Sequence, residues 1–499
     1  MTSQVVSRPG PGSDWPSTSL RTLIVGAGAA GKALARDLQR VGEFGLCPVG
    51  FLDDDPRKRK VRHLPVLGRL ADVLQVATAE RIDVVVLAIP GLPEPEVTRL
   101  ATAAARVGAS VRRLPSFVAL LQRDVVGTDM RSLDVANLIG RCELHVASPE
   151  VAEIITGRTV LVTGAGGSIG SELCRQVNGF APSRLVMLDH DESNLHRLQL
   201  ELRGEAFLES HDTVVADIRD VERMRQVMGH YRPHVVFHAA ALKHLPMLEE
   251  HPCEGVKSNV QGTENVLVAA VESGVERFVA ISTDKAADPT SVLGATKALA
   301  EQVVKKHAGG RTVVSAVRFG NVLGSRGSLL PVLLAQMAAG LDVTVTHPDV
   351  TRYFMTIEEA VGLVLEAAHL TTGSETFVLD MGSPVRIVDL VANFARQLNV
   401  GDVNVRFTGL RPGEKLHESL FSEDEECLPT SHPRIFGAQA VPVHEHFDAL
   451  MLALYDAARR NAAADVRRAL AAVLPIYRPE PEPERVFALQ ASAPYPDDY

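Results

Sequence analysis

Two stretches of the chain repeat one pattern: a short run of apolar, mostly β-branched residues, a glycine-rich turn, then apolar positions at helical spacing. The first is Leu23, Ile24 and Val25 followed by Gly26, Gly28 and Gly31, and the second is Val160, Leu161 and Val162 followed by Gly164, Gly166, Gly167 and Gly170. A buried run, a turn and a helix in that order open a unit of parallel sheet, so each stretch predicts the start of a doubly wound α/β domain. Further apolar runs predict the other strands: Pro48 to Leu52 and Asp83 to Ile89 after the first turn, then Arg184 to Leu188, Thr213 to Val215, His234 to His238, Arg277 to Ser282 and Val313 to Val317 after the second. From Pro331 the elements shorten and polar loops intervene, HPDVTRYFMT and GLRPGEK among them, as in a smaller lobe covering a substrate. His444 to Leu474 has helical periodicity, whereas YRPEPEPERV cannot build a core.

This pattern divides the chain into a loose tail over 1–20, a first Rossmann-like domain over 21–134 and a connector over 135–158. A second, catalytic domain follows over 159–440, with its dinucleotide part over about 159–330 and its substrate lobe mainly over 331–440; a helix and mobile tail occupy 441–499.

Composition narrows the classes. The 499 residues are 46% hydrophobic and 22% charged, enough for two or three buried cores. A net charge of −10 excludes a dominant basic surface for nucleic acid or acidic lipid, so any anion must be bound locally. Cys47, Cys142, Cys174, Cys253 and Cys427 are scattered with no CxxC pair, which predicts neither a disulfide framework nor a metal site and points to a reducing cytoplasm. The first twenty residues contain no apolar segment of the kind a signal peptide or anchor needs. The longest uncharged apolar stretch, Gly327 to Leu341, is shorter than the roughly 18 residues of a bilayer span, so no integral membrane segment is expected.

Glycines at a strand-to-helix turn let the backbone approach a pyrophosphate, whose charge is favoured by the free N–H groups of the helix start. Gly164, Gly167 and Gly170 are the candidates, with Ser168 and Ile169 at the helix start. Asp189, about 25 residues beyond Gly164, ends the next strand, where its carboxylate would accept from both ribose hydroxyls and repel a 2′-phosphate; this selects NAD over NADP. The plainer alternative is that Asp189 caps the following helix, a task Asp191 could do instead. Asp217 and Ile218, after the third strand, are either an adenine contact or a turn, and Ala239 and Ala240 complete the expected cofactor set. The first fingerprint, with Asp53 about 27 residues after Gly26, has no catalytic set behind it. It is open between a second nucleotide site, an unused pocket and a dimerisation domain.

Seven ordered blocks, VLVTGAGGSIGSELCRQ, HAAALKHLPMLE, SNVQGTENV, STDKAADPTSVLGATKALAE, RFGNVLGSRGSLLP, THPDVTRYFMT and GLRPGEKLHE, make Gly157 to Pro433 resemble the UDP-N-acetylglucosamine 4,6-dehydratases of the polysaccharide-biosynthesis group. These are extended short-chain dehydrogenases. The first domain resembles the nucleotide-binding-like domain of longer members, which carry membrane helices before it; this chain is expected to be a soluble form. The resemblance implies oxidation of a UDP-N-acetylhexosamine at C4 by NAD, loss of water across C5 and C6, and return of the hydride to C6; the apolar Leu293, where members that invert C5 tend to keep tyrosine, leads to an expectation of retention at C5. It assigns Asp284 as acid for the C6 oxygen and Lys285 as base at C5. Consecutive residues on a strand face opposite ways, so both can serve one site only if the strand ends there, as the following Ala-Ala-Asp-Pro suggests. The roles ask for a raised pKa at Asp284 and a lowered one at Lys285, and mutual attraction opposes both.

Lys297 lies four residues after Leu293, where the wider superfamily has its Tyr-x-x-x-Lys pair. Leucine cannot exchange a proton, which leaves the base for the C4 hydroxyl open between Asp284, Lys285 and Thr283 with a water; Lys297 can still hold the nicotinamide ribose. Thr283 either bonds the C4 oxygen or caps the turn, and Asn259 either meets substrate or braces the active-site helix. Lys243 and His244 lie beyond a strand end, where sheet crevices receive ligands, and His238 reads as a core histidine. Asn321, Arg326, Arg352 and Arg411 are candidates for the UDP diphosphate, with Glu414 on a ribose hydroxyl. Homo-oligomers are expected through the helix around Ser291 to Lys305. The competing readings are a C4 epimerase on the same scaffold, which would ordinarily need the tyrosine absent at Leu293, and a non-catalytic sensor of NAD or a UDP-sugar.

Overall fold

A computed structural model of the chain describes residues 20–28, 31–32, 34–35, 38, 46–61, 63–89, 92, 94–113, 148–204, 210–307, 310–325, 328–338, 341–398, 403–439, 443 and 445–477. The expected tail, most of the expected connector, Arg326 and the Pro/Glu-rich end lie outside them.

Both glycine turns follow an inner strand of a mainly parallel sheet. The first sheet holds β1 (Leu20–Val25), β2 (Leu46–Leu52), β3 (Lys60–Val61), β4 (Leu64–Gly68), β5 (Val84–Leu87) and β6 (Ser110–Arg113) in the order β3-β4-β2-β1-β5-β6. Only the β3/β4 pair is antiparallel. Side chains alternate along β1: Leu23 and Val25 enter one core with Val85 and Leu87, while Ile24 enters the opposite core with Val84 and Val86. Both faces are covered, which is why the strand reads as one unbroken apolar run.

The second sheet begins with β7 (Thr159–Thr163), β8 (Arg184–Asp189), β9 (Thr213–Val215), β10 (Val235–His238), β11 (Arg277–Ile281) and β12 (Val313–Arg318). It is completed by β13 (Ser374–Leu379), β14 (Cys427–Pro429) and β15 (Ile435–Ala438), in the order β14-β15-β13-β12-β11-β10-β7-β8-β9. The β14/β15 and β15/β13 pairings are antiparallel and the rest parallel. Along β7, Leu161 joins the core on one face and Val160 and Val162 the core on the other, all fully buried. Burial on this scale contributes roughly 1.5–3 kcal/mol per large side chain. The strand order reverses between β7 and β10, and the cleft at such a switch point, beyond the carboxyl ends of the strands, receives the ligand in doubly wound folds.

Three expectations about the C-terminal half need correction. First, much of 331–440 is not a separate lobe: β13, β14 and β15 extend the main sheet and the helix Ile357–Leu370 packs into its core. What remains as a lobe is a small core around Leu333, Phe354, Leu390 and Phe394, beside short two-stranded ladders. Second, the helical tail is two helices, Phe447–Arg459 and Ala463–Val473, broken where Asn461 takes a φ of 56°. Third, the helix α1 (Val292–Lys306), expected to form a dimer face, is buried within its own chain from Val292 to Glu301. Phe447, Met451, Leu454, Val466 and Leu470 share its core, and Lys306 pairs with Asp448. Among the described residues no helix is long and apolar enough to cross a membrane.

Candidate active site

The turn after β7 is shaped by steric necessity. Gly164 has a φ of 67°, and a Cβ there would stand 2.6 Å from the backbone nitrogen of Ala240 at the end of β10. A Cβ on Gly170 would approach the Gly164 carbonyl oxygen to 2.0 Å, so the helix Ser168–Gly179 packs its first turn directly onto the loop. Asp189, buried at the end of β8, accepts from the Gly166 N–H at 2.9 Å through one oxygen and from the Asp191 N–H at 3.0 Å through the other. The next helix is capped by Asp191, whose side chain accepts from the Asn194 N–H, so Asp189 is not spent as a cap. The result is a glycine cradle open to a diphosphate with a fixed carboxylate beside it, an arrangement that fits a dinucleotide.

Beyond the adjacent strand end, β11 stops at Ile281, Thr283 is still extended, and Asp284–Ala286 form a single 3₁₀ turn. Ending the strand there lets neighbouring residues share one side. Asp284, fully buried, accepts through Oδ1 from Thr283 Oγ1 at 2.9 Å and from Lys285 Nζ at 3.0 Å. Its Oδ2 is buried with no hydrogen-bond partner among the described residues. Lys285 Nζ also donates to Asn321 Oδ1 at 3.3 Å. Burial pulls the Lys285 ammonium down, yet the carboxylates of Asp284 and then Glu418 outweigh it, so its pKa lies above the ordinary lysine value. The expectation of a lowered pKa is therefore corrected: in this arrangement Lys285 is a cation.

Lys297 donates to the Ile281 carbonyl at 2.5 Å, and burial, opposed by Glu301, brings its pKa down to about 8. Leu293, one helical turn earlier, is buried. His238 is held on both nitrogens, by Thr163 Oγ1 at 2.8 Å and Thr263 Oγ1 at 2.9 Å, and burial pushes its pKa down to about 3. It is a core histidine.

Several expected ligand contacts are already committed within the protein. Asn259 bonds the Leu242 N–H and carbonyl at 2.8 and 3.0 Å and Thr296 Oγ1 at 3.1 Å, so it braces the loop after β10 against α1 and has no donor left for substrate. Arg352 and Glu414 hold each other at 2.9 Å, and Arg352 also donates to the carbonyls of Thr351 and Leu416. That guanidinium ties the 411–418 segment to the lobe and does not await a diphosphate. Asp217 is paired with Arg219 at 2.6 Å and bonds its backbone, a turn role; the guanidinium holds its carboxyl below the usual range. Ile218 is buried against Gly262. Arg411 is exposed, as are Lys243 and His244 on the loop after β10.

Sequence reasoning passed over Glu418. Its side chain is 3% exposed, with Oε1 3.7 Å from Lys285 Nζ and 4.0 Å from Arg352 Nε. The sequence offered no signal for it beyond its place in a segment already singled out for its charges.

The first domain repeats the cradle with one difference. Gly26 has a φ of 99°, and Asp53 accepts from the Ala27 N–H at 2.7 Å and the Asp55 N–H at 3.0 Å, as Asp189 does from its own loop. Both Asp53 oxygens, however, are held by Lys58 Nζ at 3.0 Å.

Residues 160–440 match the family described as Polysaccharide biosynthesis protein, and residues 13–115 match a CoA-binding domain. The chain is 43% identical over 430 residues to the probable polysaccharide biosynthesis protein EpsC of Bacillus subtilis, covering 85% of this chain and 72% of that one. It is 33% identical over 278 residues to the UDP-glucose 4-epimerase of Rickettsia rickettsii, covering 54% and 79%. Among solved structures, Pen from Bacillus thuringiensis is similar at 32% identity and a TM-score of 0.53, covering 57% of this chain and 90% of that one. The family match takes in the glycine cradle, the Asp284 turn and the lobe together, and the chain belongs to the polysaccharide biosynthesis protein family.

Proposed function

We propose that the chain is an NAD-dependent 4,6-dehydratase of a UDP-linked N-acetylhexosamine. The observation that carries this reading is the pairing of Asp284 and Lys285 at a strand end, with one Asp284 oxygen buried and unpartnered. Gly164, Gly167, Gly170 and Asp189 would hold the dinucleotide, and Lys297 the nicotinamide ribose. NAD bound there would supply the two-electron acceptor and donor for the sugar.

The chain's own residues then have to move protons. Shifting one proton along the 3.0 Å bond from Lys285 Nζ to Asp284 Oδ1 turns an ion pair into a neutral amine and a carboxylic acid. The amine takes the C5 proton of a 4-keto sugar, the C6–O bond breaks, and the Asp284 proton leaves with that oxygen as water. Lys285 is again an ammonium and Asp284 again a carboxylate. The proton released from the C4 hydroxyl beforehand equals the one needed at C5 afterwards, so the site ends at its starting charge. Thr283 with a water would pass the first of these to solvent, since Asp284 has to remain a carboxylate to take the Lys285 proton, and the second would come from solvent.

Relatives described as UDP-glucose 4-epimerases favour a second reading, epimerisation at C4. Against it stands the buried, apolar Leu293 at the proton-exchanging position, and epimerisation leaves the Asp284–Lys285 pair without a task. Incubating the purified chain with NAD and UDP-N-acetylglucosamine in deuterated water separates the two by proton NMR. A dehydratase gives a C6 methyl and deuterium at C5, an epimerase gives a galacto-configured product with its C6 hydroxymethyl intact, and an unchanged spectrum overturns the proposal.

A further inference from the structure

Two buried carboxylates face the Lys285 amine, and they reach it from opposite parts of the fold. Asp284 comes from the turn after β11, and Glu418 from the segment that Arg352 and Glu414 tie to the lobe. Glu418 makes a poor structural residue. Its Oε2 is buried without a hydrogen-bond partner among the described residues, and its Oε1 lies at ion-pair range from Lys285 and Arg352 but bonds neither closely. A buried carboxylate so incompletely bonded costs the fold more than an apolar side chain of the same size would. Each of its two cationic neighbours has a nearer carboxylate, Arg352 in Glu414 at 2.9 Å and Lys285 in Asp284 at 3.0 Å, and of the two Lys285 stands closer to Glu418, at 3.7 Å against 4.0 Å.

We propose that Glu418 is a positioning residue of the reaction centre, supplying the second negative charge that holds Lys285 as an ammonium between Asp284 and Asn321. The proposal rests on the dehydratase reading for its catalytic meaning. Its electrostatic content stands independently. The charged groups around the amine are Asp284, Glu418 and Arg352, with Glu414 behind Arg352 and the neutral Thr283 and Asn321 completing the set. Counting both cations and all three carboxylates, the cluster carries one net negative charge and can take up one proton without becoming cationic. Glu418 thereby adds to Asp284 in raising the pH at which Lys285 releases its proton to become a base. In its absence the amine deprotonates more readily.

The test uses the full chain carrying Glu418→Gln, which keeps the shape and removes the charge. Competitive amine labelling across pH, read at the Lys285 peptide by mass spectrometry, follows the titration of that amine without requiring turnover. The titration is expected to move down by at least about one pH unit, since a unit charge at this separation in a buried site interacts strongly. The pH profile of dehydration should move down with it. A labelling curve unchanged from wild type in a folded variant overturns the proposal. If Glu418→Gln does not fold, Glu418→Asp decides: it withdraws the charge by one methylene, and a smaller downward shift supports the proposal while no shift overturns it. If labelling shifts but neither wild type nor variant acts on UDP-N-acetylglucosamine, the charge relationship stands and the dehydratase reading fails.

Discussion

Asp284 accepts a hydrogen bond from the side chain of its own sequence neighbour, Lys285, at 3.0 Å. Adjacent residues on a strand diverge, so this bond exists only because β11 gives way to a 3₁₀ turn after Thr283. Replacing Asp284 by Asn keeps the shape but removes the proton acceptor. Turnover is expected to fall by at least about 100-fold, the usual contribution of a positioned acid or base, with NAD content retained. Dehydration assays alongside dinucleotide quantification check this; wild-type turnover would contradict it.

The cradle after β7 leaves no room for a side chain at Gly170, where a Cβ would meet the Gly164 carbonyl oxygen at 2.0 Å. Gly170→Ala must push the helix away from the loop. It is expected to cost about 1–3 kcal/mol of stability, as overpacking does, and to strip the protein of bound dinucleotide. Thermal melting and the absorbance of dinucleotide released on denaturation measure the two effects.

Lys297 gives a pH signature of stability. Burial lowers its pKa in the folded chain to about 8 from an ordinary value near 10.5, so between those pH values the unfolded chain binds more protons. The stability contribution of this group therefore rises as pH increases from about 8 to about 10.5, and its burial cost is fully present below that window. Lys297→Met removes the effect, so the wild type should gain on the variant by up to roughly 3 kcal/mol across the window. Urea unfolding of both proteins at several alkaline pH values tests the sign; a difference that stays flat or reverses contradicts it.

Arg411 is exposed three residues from Glu414, while Arg352 is buried in an internal pair. Of the three arginines expected at the diphosphate, Arg326 lies outside the described residues, and of the other two Arg411 is the one left to meet a ligand. Arg411→Ala should raise KM by about tenfold, the loss of one charge-assisted contact, and leave kcat nearly unchanged. A fall in kcat at constant KM would place Arg411 elsewhere in the reaction.

Much of the fold was legible because buried parallel strands announce themselves. Leu161 and its neighbours Val160 and Val162 point to opposite cores, and only a strand covered on both faces is apolar at every position. The return of Ser374–Leu379 and Ile435–Ala438 to the main sheet was hidden, since nothing local tells whether a short strand joins a distant one or a nearby ladder. At the site, the roles of Asp284 and Lys285 came from the family resemblance, and the turn signal after them told how neighbours in the chain could face one side. Bracing by Asn259 was one of two readings left open, decided by the fold through Leu242 and Thr296, whereas the internal use of Arg352 was hidden, because Glu414 and the Leu416 carbonyl come close only in the folded chain. Glu418 escaped for the same reason: what singles it out is an unpaired oxygen, and that is a property of packing.

The most direct test follows an isotope placed at C4. UDP-N-acetylglucosamine carrying deuterium at C4 is turned over by the purified chain in ordinary water, and the product is examined by deuterium NMR. The account predicts that the label leaves C4 and appears in the new C6 methyl of a 4-keto product. Deuterium found on C4 of a galacto-configured sugar, or remaining on unaltered substrate, would contradict it.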